Sequence, residues 1–160
     1  MVKILNFSIK FIFIFFIFGC HSNDNNKWND LKKNEPQPEE KKEESFSDKL
    51  LVLHNRQREL RGRVGLSINN DLMLYAQKHA KWMAYRNLLK HSDISVLMGK
   101  FHTAGENIAW NQENEYEVVD AWMKSNGHRE NIINRQFSKV GFGLLPANDG
   151  SLYWCTVFGD

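Results

Sequence analysis

Apolar residues recur along residues 47–160 in two different rhythms. After Ser45 and Ser47, either of which can cap a helix, Leu50, Leu51, His54, Gln57 and Arg58 return at helical spacing until Gly62 and Gly65 break the pattern. A stronger stripe runs from about Asp71, the start signal, to Leu88, with Leu72, Ala76, His79, Ala80, Met83 and Asn87 on one face. Its alanines permit close approach to a neighbour. A short helix over Tyr116–Ser125 turns Val118, Val119 and Trp122 inward, and Gly127 is expected to end it. The rhythm then shortens to that of strands over Val140–Leu145 and Leu152–Phe158. The turn residues Asn148-Asp149-Gly150 between them predict an antiparallel hairpin. Helices followed by a terminal hairpin imply an α+β or α-β-α layered domain whose helices cover a small sheet.

The first 46 residues follow neither rhythm. Residues 1–20 carry Lys3 and Lys10 and then the unbroken apolar run Phe11–Phe18, closed by Gly19-Cys20. The run is far shorter than the ~20 residues a bilayer span requires, so the segment reads as an export signal. Its end resembles the lipobox of bacterial lipoproteins, with Ile17 in place of the usual leucine and Phe18 bulkier than the small residue normal before the glycine. That resemblance implies that Cys20 is lipidated and becomes the first residue of the mature chain. Residues 21–46 are dominated by Asn, Lys, Glu, Asp and Pro, and Trp28 and Leu31 are nearly their sole large apolar side chains. Such a segment cannot bury a core and is expected to be a disordered linker. A flexible chain of this length spans on the order of 30 Å, a suitable tether between an anchor and a domain.

Charge and cysteine content narrow the classes further. Twenty-one basic against 19 acidic residues leave a net charge of +2, which does not indicate a nucleic-acid partner. The two cysteines, Cys20 and Cys155, lie in regions of different character and are expected to be unpaired with each other. Cys155, in an apolar strand, reads as an inert buried thiol. Trp110, Trp122, Trp154 and Phe158 read as core or cleft wall.

Five separated segments then carry a specific resemblance. They are Leu51-Val-Leu-His54-Asn55-Arg-Gln-Arg58; Leu72-x3-Ala76-x3-Ala80 with Asn87-x3-His91-Ser92; Gly105-Glu106-Asn107-Ile108-Ala109; Ala121-Trp122-Met-Lys-Ser125-Asn-Gly127-His128-Arg129-Glu-Asn131-Ile132; and Phe137-x2-Val140-Gly141-Phe-Gly143 with Tyr153-Trp154-x2-Val157-Phe158. In this order they resemble the CAP family, also called the SCP domain: the cysteine-rich secretory, antigen 5 and pathogenesis-related proteins. Ile68-Asn69 stands where relatives commonly carry Trp-Asp, and the disulfides of secreted eukaryotic members have no counterpart. The resemblance implies an α+β fold, a three-layer α-β-α sandwich with a small antiparallel sheet, and a cleft lined by two histidines and two glutamates. Residue by residue these are His91, His128 and Glu106, while Ser125 occupies the position of the second glutamate.

Three roles follow as expectations. His91, Glu106 and His128 form a possible zinc-type ligand set, since His2Glu with an open position suits that metal, although no cofactor is required by the sequence. Glu106 is the candidate catalytic base if the protein is a hydrolase acting on a water held by the histidines. No nucleophile elbow or ordered Ser-His-Asp set is present, which leaves covalent catalysis unsupported. The preferred reading is a binding module: a monomeric domain lipid-anchored at Cys20 on the extracytoplasmic face of the cell envelope. It would capture a small amphipathic ligand, a surface polymer or a host molecule, in its cleft or on its outer face. His54, Asn55 and Asn107 are expected to tie helices to loops, and His79 to pack on its helix.

Overall fold

The computed structural model describes residues 44–160. Helix α1 spans Phe46–Glu59, β1 Ser67–Ile68, α2 Asn70–Arg86, and a 3-10 turn Ile94–Leu97. Strand β2 spans Ala104–Trp110, α3 Glu115–Lys124, α4 Asn126–Ile133, β3 Lys139–Pro146 and β4 Leu152–Gly159. The signal segment, Cys20 and the linker up to residue 43 lie outside the described residues.

Local chemistry explains the helix limits. Ser45, the better of the two candidate caps, accepts from the Asp48 amide while Asp48 reaches back to Ser45, a reciprocal capping box. In α2 the cap is Asn69, whose Oδ1 accepts from the amides of Asp71 and Leu72. Asp71 instead sits in the first turn, where the helix dipole favours a carboxylate. Asn87 ends α2 in the left-handed conformation and turns the chain back along the helix. The expectation that Gly127 stops α3 is corrected. Ser125, with an extended backbone, makes the break, and Gly127 lies in the first turn of the new helix α4.

The sheet has the order β1-β3-β4-β2. The predicted hairpin is present: β3 and β4 pair antiparallel from Lys139↔Gly159 to Pro146↔Leu152. Gly150 adopts φ +85° at its turn, a region that suits glycine. The sheet is mixed rather than purely antiparallel, because the two residues of β1 run parallel to Lys139–Val140. The extended stretch before the α2 cap runs in the direction of β3 and uses its free edge, with the Asn69 amide donating to Val140 O at 2.9 Å.

Helices cover both faces of the sheet. On one, α1, α3 and α4 bury Leu50, Trp122 and Ile132 against Phe142, Trp154 and Phe158. On the other, α2 buries Leu72, Ala76, Ala80 and Met83 against Tyr153, Cys155 and Val157. The second contact is unusually close: a Cβ on Gly141 would lie 2.1 Å from Leu72 C, and one on Gly143 would lie 2.2 Å from Ala76 O. Arg58 and His54 are two of the polar residues buried on the first face. Arg58 donates to the carbonyls of Val64, Ile132, Asn134 and Phe137, tying α1 to the chain around α4. His54 donates Nδ1–H to Leu50 O at 2.7 Å among Trp122, Phe142 and Phe158. Asn55 ties α1 to Leu66 by donating to its carbonyl and accepting from its amide.

Candidate functional site

Strand β2 is an edge strand, and its alternation builds the site. Glu106 and Ile108 face the α2 side, whereas Asn107 and Ala109 face the α3–α4 side. Two adjacent residues therefore hold two different layers. Asn107 Nδ2 donates to His128 O at 2.9 Å, and Asn131 Nδ2 donates to Asn107 Oδ1 and Glu106 O, which fixes α4 against β2. Gly105 is required there, since a Cβ would meet Asn131 Oδ1 and Phe137 at 2.9 Å. Neighbouring Glu106 secures the loop that returns from α2.

The Glu106 side chain is 3% exposed and both of its oxygens are engaged. Oε1 accepts from His91 Nδ1–H at 2.7 Å and from the Ser92 amide at 2.9 Å. Oε2 accepts from the Ser92 hydroxyl at 2.5 Å, with Cys155 Sγ and His79 Nε2 each 3.8 Å away. With Nδ1–H committed to the carboxylate, His91 presents Nε2 outward from a ring that is 59% exposed. The His128 ring lies with its centroid 6.4 Å from that of His91. Burial, and secondarily the nearby His91, lower the His128 pKa and favour its neutral ring. The structure thus brings His91, Glu106 and His128 together, each in a distinct place. Ser125 stands at the α3–α4 junction, where its side chain makes no cap hydrogen bond.

His79 is more than a packing residue of α2. Its Nε2–H donates to Lys90 O at 2.8 Å, its ring stacks on Trp82 at 5.7 Å, and its side chain is 10% exposed beside Glu106. With His91, Trp82 and Lys90 it lines a cavity of ≈ 460 Å³. Helical spacing places His79 on a face but does not reveal the loop over it. The legible signal is Asn87, a left-handed helix end that reverses the chain and brings residues 90–92 back beside α2. A larger groove of ≈ 880 Å³ along α1, lined by Leu51, Asn55 and Arg56 among others, contains none of these groups. The buried Cys155 is a free thiol whose pKa is pushed well up by burial and then by Glu106, which leaves it protonated and unreactive.

This combination of an α-β-α sandwich with a carboxylate-backed histidine beside a second imidazole defines a recognised class. Residues 51–158 match the cysteine-rich secretory protein family, CAP, and the chain belongs to it. The uncharacterized protein YkwD of Bacillus subtilis is 34% identical over 118 residues, covering 68% of this chain and 45% of that protein. The chain therefore spans less than half of that relative's length. Among solved structures, an outer surface protein of Borrelia burgdorferi superposes with a TM-score of 0.66 at 22% identity, over 72% of this chain and 92% of that one. An extracellular SCP-domain protein of Bacillus anthracis gives 0.60 at 26% identity, over 69% and 39% respectively. Among the described residues no helix is long and apolar enough to cross a membrane.

Proposed function

We propose that this CAP domain is an extracytoplasmic binding module, tethered to a membrane by a lipid on Cys20 and the polar segment between it and α1, whose recognition element is the His91/His128 pair. The observation that carries the reading is the occupation of Glu106, whose oxygens take hydrogen bonds from His91 and from both the amide and the hydroxyl of Ser92. A general base needs a free electron pair facing a water. A carboxylate engaged in this way instead orients an imidazole, and binding is favoured over hydrolysis.

The donor set fits a zinc-type divalent cation held by His91 and His128, with Glu106 behind His91 as the orienting carboxylate. Glu106 is turned to Ser92, which leaves the two rings as the ligands. An ion there would supply a Lewis-acidic docking point and leave positions open to water or ligand. Burial favours the neutral ring of His128, and Glu106 aims the ring of His91.

Calorimetric titration of the full chain with zinc tests this. One site is expected, abolished in His128→Ala and weakened about 10–100-fold in Glu106→Gln. Undiminished binding in His128→Ala, or none in the wild type, overturns the metal reading. For the tether, labelled fatty acid should enter the wild type in a lipoprotein-processing host and be absent from Cys20→Ala; equal labelling refutes Cys20 as the anchor.

A further inference from the structure

The solvent face of α2 is chemically unlike the rest of the surface. Residues 72–92 contain Lys78, Lys81, Arg86 and Lys90 and not one Asp or Glu. Among the described residues none of these four cations is within ion-pair distance of a carboxylate. The acids that flank the stretch are already engaged. Asp71 pairs with Lys100 at 2.8 Å, and Asp93 caps the 3-10 turn through the Ser95 amide. On the opposite face of the sheet, the approach to α3 and its first turns carry Glu113, Glu115, Glu117 and Asp120 before the first cation, Lys124. The outer face of α2 is therefore basic, and the start of α3 is a local acidic patch.

The basic face is also where apolar side chains are left uncovered. Of the thirteen large hydrophobic side chains exposed among the described residues, seven fall from Leu74 to Met98. Tyr85 is 70% exposed, Leu88 and Leu89 46% each, and Trp82 38%. Cations and rings are interleaved: Lys81 Nζ lies 5.5 Å from the Tyr85 ring centre and the Arg86 guanidinium 6.0 Å from that of Trp82. Aromatic rings with leucines below and long basic side chains around them match a headgroup layer, where rings and leucines enter the boundary and cations meet phosphates. A soluble polyanion would satisfy the charges and leave the leucines and rings in water.

We propose that the outer face of α2 and the loop that follows it, from Lys78 to Lys90, dock on an anionic lipid surface. The proposal stands apart from the ligand chosen by the His91/His128 pair, although Trp82 and Lys90 also line the cavity beside His91. Docking here sets that cavity at headgroup level and turns the acidic start of α3 away from the bilayer. Each basic residue near such a surface contributes roughly fivefold in partitioning.

The test is co-sedimentation of the full chain with vesicles of phosphatidylcholine, alone or mixed with phosphatidylglycerol. A lipid anchor acts alike on both, so the ratio between them isolates the face. Wild type is expected to favour the anionic vesicles by at least about tenfold at low salt, and high salt should erase the preference. Lys78→Glu/Lys81→Glu should abolish it. Trp82→Ala/Tyr85→Ala should weaken it while retaining the salt dependence. Arg61→Glu/Lys124→Glu, which reverses exposed charges elsewhere, should leave it intact. An unchanged ratio in Lys78→Glu/Lys81→Glu overturns the proposal. So does a chain that binds dextran sulfate through these lysines yet shows no preference for anionic vesicles, which would assign the face to a polymer.

Discussion

The two faces of the central sheet are glued by different means. On the α1, α3 and α4 side, contact is made by volume: Trp122, Phe142, Trp154 and Phe158 interdigitate, and the indole N–H of Trp122 finds Ile108 O at 3.1 Å. On the α2 side it is made by proximity, with Gly141 and Gly143 presenting bare backbone to Leu72 and Ala76. Consecutive residues of β3 thus obey opposite rules. A face filled by large side chains can relax around a change and can shelter polar groups such as His54 and Arg58. A face made of touching backbones has nothing movable to give. The less adaptable side is also the one that presents His79 and the loop with His91, so the site borrows its rigidity from glycine.

The sharpest way to break this comparison is to substitute neighbours in β3. Gly143→Ala should cost about 3 kcal/mol or more, because a methyl must displace α2 backbone. Phe142→Leu, one residue away, should cost under about 1.5 kcal/mol. Urea unfolding of both variants measures the difference, and similar costs would show that the two faces are equally compliant.

A second, smaller effect belongs to the aromatic face alone. Burial lowers the His54 pKa from 6.5 to about 4. Between those values the unfolded chain takes up a proton that the folded one refuses. The stability linked to neutral His54 is complete above about pH 6.5 and falls by about 3 kcal/mol as pH drops to 4. His54→Phe should flatten this part of the pH profile of unfolding free energy. An unaltered profile would mean that the aromatic layer admits water to the imidazole.

Much of the fold is legible in the sequence because its signals are local. The helical stripe through Leu72, Ala76 and Ala80 and the Asn-Asp-Gly hairpin each follow from a few adjacent residues. Strand β2 is not legible as a strand, since Ala-Gly-Glu-Asn-Ile-Ala-Trp offers one β-branched residue and no alternation; pairing with β4 makes it extended. Its last residue, Trp110, is 47% exposed rather than buried, because it lies where β2 leaves the sheet. Glycine misled at Gly127, where the break belongs to the extended backbone of Ser125. Within the site, motif resemblance singles out His91, Glu106 and His128. It does not divide the labour among them, because that depends on Ser92 donating to carboxylate lone pairs that a metal or water would otherwise use. His79 joins Glu106 through a loop closure that no spacing encodes.

The position of β4 has a consequence in time. It follows its partners in the chain yet lies between them, hydrogen-bonded to β2 on one side and β3 on the other. While a ribosome is still making residues 152–159, β2 has no strand to join and β3 has only the two residues of β1. Glu106 then has no neighbouring backbone to hold it in register, and the histidines have no common frame. A nascent chain with this topology cannot complete its site early: assembly waits for the middle strand, and sheet and site form in one late, cooperative step.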